Sequence, residues 1–226
     1  IDNAVDATVM GAFGSTGQRC TATSRVVIDR SVHKAFVEKL VTKTRMIKVG
    51  NGLTDVTAMG PSVDEKQMNT VLKAIDIAKK EGGKLLCGGE RVNIDGGFFI
   101  APTIFDDIKP EMYLAQEEAF GPLLAVIPVN GIEEAFKVAN NVKYGLTSSI
   151  YTKDYQSVMQ YADQIETGML HVNSPTVGGE AQAPFGGVKE TGLGGREMGD
   201  TAPEIFCEMK TVYFDYGATV RKGNLY

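Results

Sequence analysis

The strongest constraint on how this chain folds is the alternation of its apolar periods. Stretches with apolar residues three or four apart give way, across short polar connections, to runs of consecutive apolar and β-branched residues. Val5, Val9 and Phe13 mark one helical face over residues 2–13, and Gly14 to Gly17 break it. Residues 24–29 read as a buried strand. Val32, Phe36, Val37, Leu40 and Val41 form the stripe of a second helix, with Ser31 expected as its cap. After a loop at 50–61, Asp64 opens a third helix that buries Met68, Val71, Leu72, Ile75 and Ala78 and ends at Gly82-Gly83. Asp64 and Gln67 have the spacing of a capping box. A short strand follows at 84–87, then two extended pieces around Pro102 within 96–105, then an apolar strand at 123–129. The pattern closes with a helix at 132–140 (Ala135, Phe136 and Ala139 inward) and a strand at 146–151. A helix at 155–165 then carries Val158, Tyr161, Ala162 and Ile165, and a strand follows at 169–172.

Helices alternating with strands across short links predict an α/β fold: a three-layer α/β/α domain around a mostly parallel sheet. The 226 residues suffice for one large core without a disulfide or metal staple. Residues 173–199 depart from the pattern, with eight glycines and little periodicity, and read as an ordered or functional loop. Residues 1–210 are therefore expected to form the domain. A β-rich run at 211–216 follows, with a polar tail over 218–226.

A net charge of −5, with lysines and arginines scattered, argues against a nucleic acid or an anionic membrane as the main partner. No apolar run approaches the ~18 residues that span a bilayer. Three cysteines, Cys20, Cys87 and Cys207, are an odd number at spacings that match no zinc pattern, and His33 and His171 are the only histidines. The expectation is no metal site and reduced thiols in a cytoplasmic-type compartment. The chain starts at Ile1, already within a helical pattern, and reads as cut from a longer protein.

Three stretches carry the candidate chemistry. In the first, Gly17-Gln18-Arg19-Cys20-Thr21, one thiol sits just behind a loop with two glycines and just ahead of Val26-Val27-Ile28. A thiol attacks as thiolate, and a cation such as Arg19 or nearby backbone N–H groups favour that form. The second stretch is Gln116-Glu117-Glu118-Ala119-Phe120-Gly121-Pro122. The third joins Asn173-Ser174-Pro175-Thr176 to Pro184-Phe185-Gly186-Gly187-Val188-Lys189 and Gly192-Leu193-Gly194-Gly195-Arg196. Singly, each has a plain structural explanation: a buried cysteine, a solvated acidic pair before a turn, a turn plugged by an aromatic. Gly192-Leu193-Gly194-Gly195 does not sit between a strand and a helix as a dinucleotide loop must.

Together, in this order and spacing, the three stretches resemble the aldehyde dehydrogenase superfamily, and the resemblance runs from Ile1 to about Tyr216. It implies that Cys20 is the nucleophile, forming a thiohemiacetal with an aldehyde and then, once hydride has left to NAD or NADP, a thioester that water hydrolyses. It implies that the Cys20 backbone N–H stabilises the oxyanion, beside an asparagine of another domain. Glu118 and Phe120 would hold the nicotinamide ribose, and Gln67 sits where some members contact it, although its capping position explains it equally well. Arg19, Thr21 and Phe185 would line the aldehyde pocket, with Arg19 and Arg25 either meeting an anionic aldehyde or serving the fold. The run at 211–216 resembles the strand that joins a neighbouring subunit in dimers and tetramers.

The departures are as informative. The family's general base is a glutamate some thirty residues before the cysteine. The nineteen residues before Cys20 contain Asp2 and Asp6 but no glutamate. The cofactor-binding domain is absent as well, so the chain is expected to hold the catalytic domain and to be inactive alone. Two alternatives stay open: a CoA-acylating semialdehyde dehydrogenase, although residues 173–189 look more like the hydrolytic, semialdehyde-oxidising branch, and a non-catalytic oligomerisation module with the same fold.

Overall fold

A computed structural model describes residues 1–214, 216 and 217. Helix α1 (Asp2–Phe13) leads through a 3-10 turn (Gly14–Gly17) and the Cys20 loop into β1 (Arg25–Asp29), α2 (Arg30–Arg45) and α3 (Glu65–Lys80). Next come β2 (Lys84–Cys87), the two-residue strands β3 (Arg91–Val92) and β4 (Phe99–Ile100), β5 (Thr103–Asp106) and α4 (Tyr113–Gln116). Then follow β6 (Leu123–Val129), α5 (Ile132–Asn140), β7 (Tyr144–Gly145), β8 (Thr147–Ile150), α6 (Tyr155–Gln164), β9 (Met169–Val172), β10 (Val188–Lys189) and α7 (Ala202–Phe206).

The central sheet runs β1-β6-β5-β2, with β1, β6 and β5 parallel and β2 antiparallel to β5. Strand β6 shows how the layers arise. Leu123, Ala125, Ile127 and Val129 face α3 and α5, packing with Val71, Ile75 and Val138. Leu124 and Val126 point the other way, onto Val5 and Phe13 of α1 and Phe36 and Leu40 of α2. Period-two alternation buried on both sides is what a strand between two helical layers requires. Strand β5 repeats it, with Phe105 on one face and Ile104 on the other. The α/β/α arrangement with a mostly parallel sheet is thus the observed fold, and β8 and β9 form a separate parallel pair.

Several local expectations are corrected. Ser31 does not cap α2. Asp29 does, accepting from the Ser31 N–H at 2.9 Å, so β1 passes into the helix without a loop. In α5 the buried residues are Phe136 and Val138, with Ala135 and Ala139 only half-buried. Only Tyr161 is buried in α6, and Ala162 is exposed. The strand expected over 146–151 is β8, at 147–150, and β7 precedes it as a separate two-residue strand. Residues 211–214 and 216 pair with no strand among the described residues, and the pairing expected of them is with another copy of the chain. Residues 218–226, read as a polar tail, lie outside the described residues. Among the described residues no helix is long and apolar enough to cross a membrane.

Candidate active site

Parallel pairing places the site. Arg25 of β1 stands opposite Ala125 of β6, so the segments entering these strands arrive side by side at the same end of the sheet. The Ala125 N–H donates to the Ser24 carbonyl at 3.0 Å, which fixes that meeting. The first entering segment carries Cys20 and the second carries Glu118 and Phe120. They meet at Gly17, whose φ is +64°. A Cβ there would overlap the Gly121 carbonyl oxygen and lie 2.6 Å from its carbon and 2.8 Å from the Ala12 oxygen. Only glycine permits both the conformation and the approach.

Cys20 is exposed at the tip of its turn. Among the described residues its backbone N–H has no acceptor, while the neighbouring Ala22 N–H closes the turn onto the Arg19 carbonyl at 3.0 Å. Two side chains brace this turn from below. Thr16 Oγ1 donates to the Gly60 carbonyl at 3.2 Å. Gln18 uses both ends of its amide, Nε2 donating to the Pro61 carbonyl (3.3 Å) and Oε1 accepting from the Val63 N–H (2.9 Å). On the other side Thr176 Oγ1 donates to the Thr21 carbonyl at 2.8 Å, so Thr23, 2.9 Å away, must donate to Thr176. That bond ties the Asn173–Thr176 stretch to the cysteine turn.

The acidic pair divides its roles. Glu117 is held by the Lys143 ammonium, 2.9 Å from both carboxylate oxygens, and this hydrogen-bonded cation keeps its pKa below the ordinary glutamate value. Glu118 has no such partner among the described residues. It lies at the surface, yet the atoms packed around it withdraw water and raise its pKa. Phe120 beside it is 39% exposed and holds a left-handed backbone at φ +52°. For a non-glycine residue that conformation needs support. Gln67 supplies it: Nε2 donates to the Ala119 and Phe120 carbonyls, both at 2.8 Å. The capping box is therefore half-formed. Asp64 accepts from the Gln67 N–H at 2.7 Å, but the Gln67 side chain reaches across to the Phe120 turn instead of back to Asp64.

The remaining expected residues are less engaged. Arg19 is exposed, and its guanidinium makes no ion pair or hydrogen bond among the described residues. Phe185 is half-buried and tied by its backbone to Glu197 (2.6 and 2.8 Å), within its own loop. Among the described residues Arg25 meets no carboxylate and faces three backbone carbonyls, those of Ala115, Val138 and Ala139, which serve the fold. Cys87 is half-buried, and desolvation pushes its thiol pKa up. The bracing roles of Gln18, Thr23 and Thr176 have no local sequence signal, because their partners lie far along the chain. No three His, Cys, Asp or Glu side chains among the described residues gather closely enough to hold a metal ion. An exposed carboxylate without a partner, beside a half-open phenyl ring, suits a ligand that offers hydroxyl donors and a flat apolar face.

Comparison with known proteins gives this geometry a context. Residues 1–212 match the model of the aldehyde dehydrogenase family. The chain is 41% identical over 216 residues to an α-ketoglutaric semialdehyde dehydrogenase of Bacillus subtilis, covering 94% of this chain and 44% of that protein. An NAD-dependent aldehyde dehydrogenase from Sinorhizobium meliloti superposes with a TM-score of 0.92 at 30% identity, over 97% of this chain and 43% of that one. A Staphylococcus aureus betaine aldehyde dehydrogenase in complex with NAD+ gives 0.87 at 33% identity, over 91% and 41%. The chain thus spans less than half the length of these relatives.

Proposed function

This chain belongs to the aldehyde dehydrogenase family, and on that premise we propose that residues 1–210 are the thiol-bearing catalytic domain of an NAD- or NADP-dependent enzyme that oxidises an aldehyde to a carboxylate. The observation that carries the reading is the Gly17–Gly121 approach, which packs the Cys20 turn against the Glu118–Phe120 turn. The Cys20 thiolate adds to the aldehyde carbon, and the oxygen, now an alkoxide, accepts from the Cys20 backbone N–H. NAD or NADP, when bound, supplies the hydride acceptor. Glu118 then accepts from ribose hydroxyls, Phe120 supports the ring, and Gln67 holds both in place through the backbone. After oxidation the acyl group is a thioester on Cys20, open to attack by water. Arg19, Thr21 and Phe185 border the aldehyde. The similarity to a semialdehyde dehydrogenase favours an oxo-acid semialdehyde as substrate.

Asp2 and Asp6 are unsuited to act as the base, because they pair with Lys39 and Lys43 of α2. The chain on its own is therefore expected to take an acyl group from an activated ester, releasing the alcohol, without hydrolysing the thioester. Val212, Tyr213, Phe214 and Tyr216 are 57, 93, 72 and 91% exposed, apolar surface that supports a role for residues 211–216 in joining another copy as dimer or tetramer. Three unpaired thiols support a cytoplasmic setting.

The test is Cys20→Ser in the chain joined to a family cofactor domain, followed by NADH formation with a semialdehyde. Loss of NADH formation with the fold retained supports the reading. Undiminished oxidation refutes it.

A further inference from the structure

Arg25, just past the cysteine stretch, and one polar residue in each of the other two stretches are not used by the proposed chemistry, and all three converge on the carboxyl end of α5. Arg25 follows Cys20 closely. It donates Nη2 to the Ala139 carbonyl at 3.2 Å and Nη1 to those of Ala115 (3.3 Å) and Val138 (3.5 Å). Gln116, just before Glu118, donates Nε2 to the Asn141 carbonyl at 2.8 Å and to Pro110 at 2.6 Å. Lys189, just after Phe185, donates Nζ to the carbonyls of Asn140 (2.6 Å) and Val142 (3.2 Å) and pairs with Glu166 at 2.6 Å. The carbonyls of residues 138–142 thus receive donors from segments that are far apart in sequence and that carry the nucleophile, the ribose-facing turn and the pocket aromatic.

The end of a helix explains the meeting. Its last carbonyls lack intrahelical donors and carry partial negative charge, which draws cations and amides. An ammonium has three protons, and Lys189 finds three acceptors, two carbonyls and a carboxylate. Lys189 also holds a left-handed φ of +55°, a conformation that persists only where the surroundings impose it. We infer that the carboxyl end of α5 is the common anchor that sets Cys20, Glu118–Phe120 and Phe185 relative to one another, with Lys189 as a positioning residue. The inference rests on the dehydrogenase reading for its purpose, because that chemistry needs the three segments in one fixed geometry.

The experiment uses the chain itself with Lys189→Met and Lys189→Arg. Hydrogen exchange is followed over 18–25, 113–121 and 183–191, and iodoacetamide alkylation of Cys20 is timed by peptide mapping with Cys207 as internal control. K189M is expected to lose about tenfold amide protection in all three segments at once. It should also change the Cys20 rate at least about threefold, and K189R, which keeps the charge and donors, should recover most of both. A merely local role would leave the Cys20 rate untouched. Loss confined to 183–191 with an unchanged Cys20 rate overturns the inference. If K189M does not fold, Gln116→Leu removes a donor from the same helix end and must show the same joint loss. Neither readout needs aldehyde or NAD, so failure here is distinguishable from failure of the dehydrogenase reading, which the Cys20→Ser assay decides.

Discussion

Replacing Gly17 by alanine tests the junction on which the site depends. The backbone at Gly17 is left-handed, φ +64°, and imposing that on a residue with a Cβ costs roughly 1–2 kcal/mol. The new methyl also overlaps the Gly121 carbonyl and lies 2.8 Å from the Ala12 oxygen. Both obstacles are backbone, so relief requires the Cys20 and Phe120 turns to move apart. Overpacking of this kind adds about 1–3 kcal/mol, giving a total of about 2–5 kcal/mol. For a chain of this size that lowers Tm by about 4–20 °C. Gly14 is the internal control: its φ is −57°, and a Cβ there meets nothing within 4 Å. Gly14→Ala should be neutral or stabilising by up to about 1 kcal/mol. Urea denaturation and thermal melts of both variants decide the matter. A Gly17→Ala protein as stable as Gly14→Ala would show that the two turns do not meet as described.

Arg25→Met should destabilise by about 2–3 kcal/mol in urea melts, because it strips three carbonyls of a charged donor. Arg25→Lys should recover only part, lacking the fork that reaches separate oxygens. Burial lowers the His171 pKa, so the unfolded state binds more protons in the window below about pH 6.5. Stability therefore falls as pH drops through that window, and His171→Gln should flatten the decline in the urea midpoint. Glu118 has a raised pKa from desolvation, so its ionised form burdens the native state. Glu118→Gln should raise Tm at neutral pH, with the gain vanishing below the carboxyl range.

The layers were legible because each rests on a local period. Strand β6 displays its two faces in consecutive letters, and α3 shows both its cap and its stripe. The start of α2 is ambiguous in the sequence because Asp29 and Ser31 are both good caps, and the choice depends on β1 running straight into the helix. The motifs marked Cys20, Glu118 and Phe120, yet the braces around them were silent. Gln18 finds its partners at 61–63, Thr176 at 21–23 and Lys189 at 140–142. No spacing rule announces pairings of that kind, which exist only once the sheet has brought its strand entrances together. Gln67 is half-readable: its spacing from Asp64 marks the capping position, and only the fold reveals that its side chain faces Phe120.

The central claim is that the sulfur of Cys20 takes the acyl group. p-Nitrophenyl acetate probes this without hydride transfer, since attack by the thiolate releases p-nitrophenolate and leaves an acetyl thioester. Peptide mapping after brief exposure should find acetyl on Cys20 ahead of both Cys207, which is also exposed, and the half-buried Cys87. Acetylation of Cys20 no faster than that of Cys207 would contradict the account.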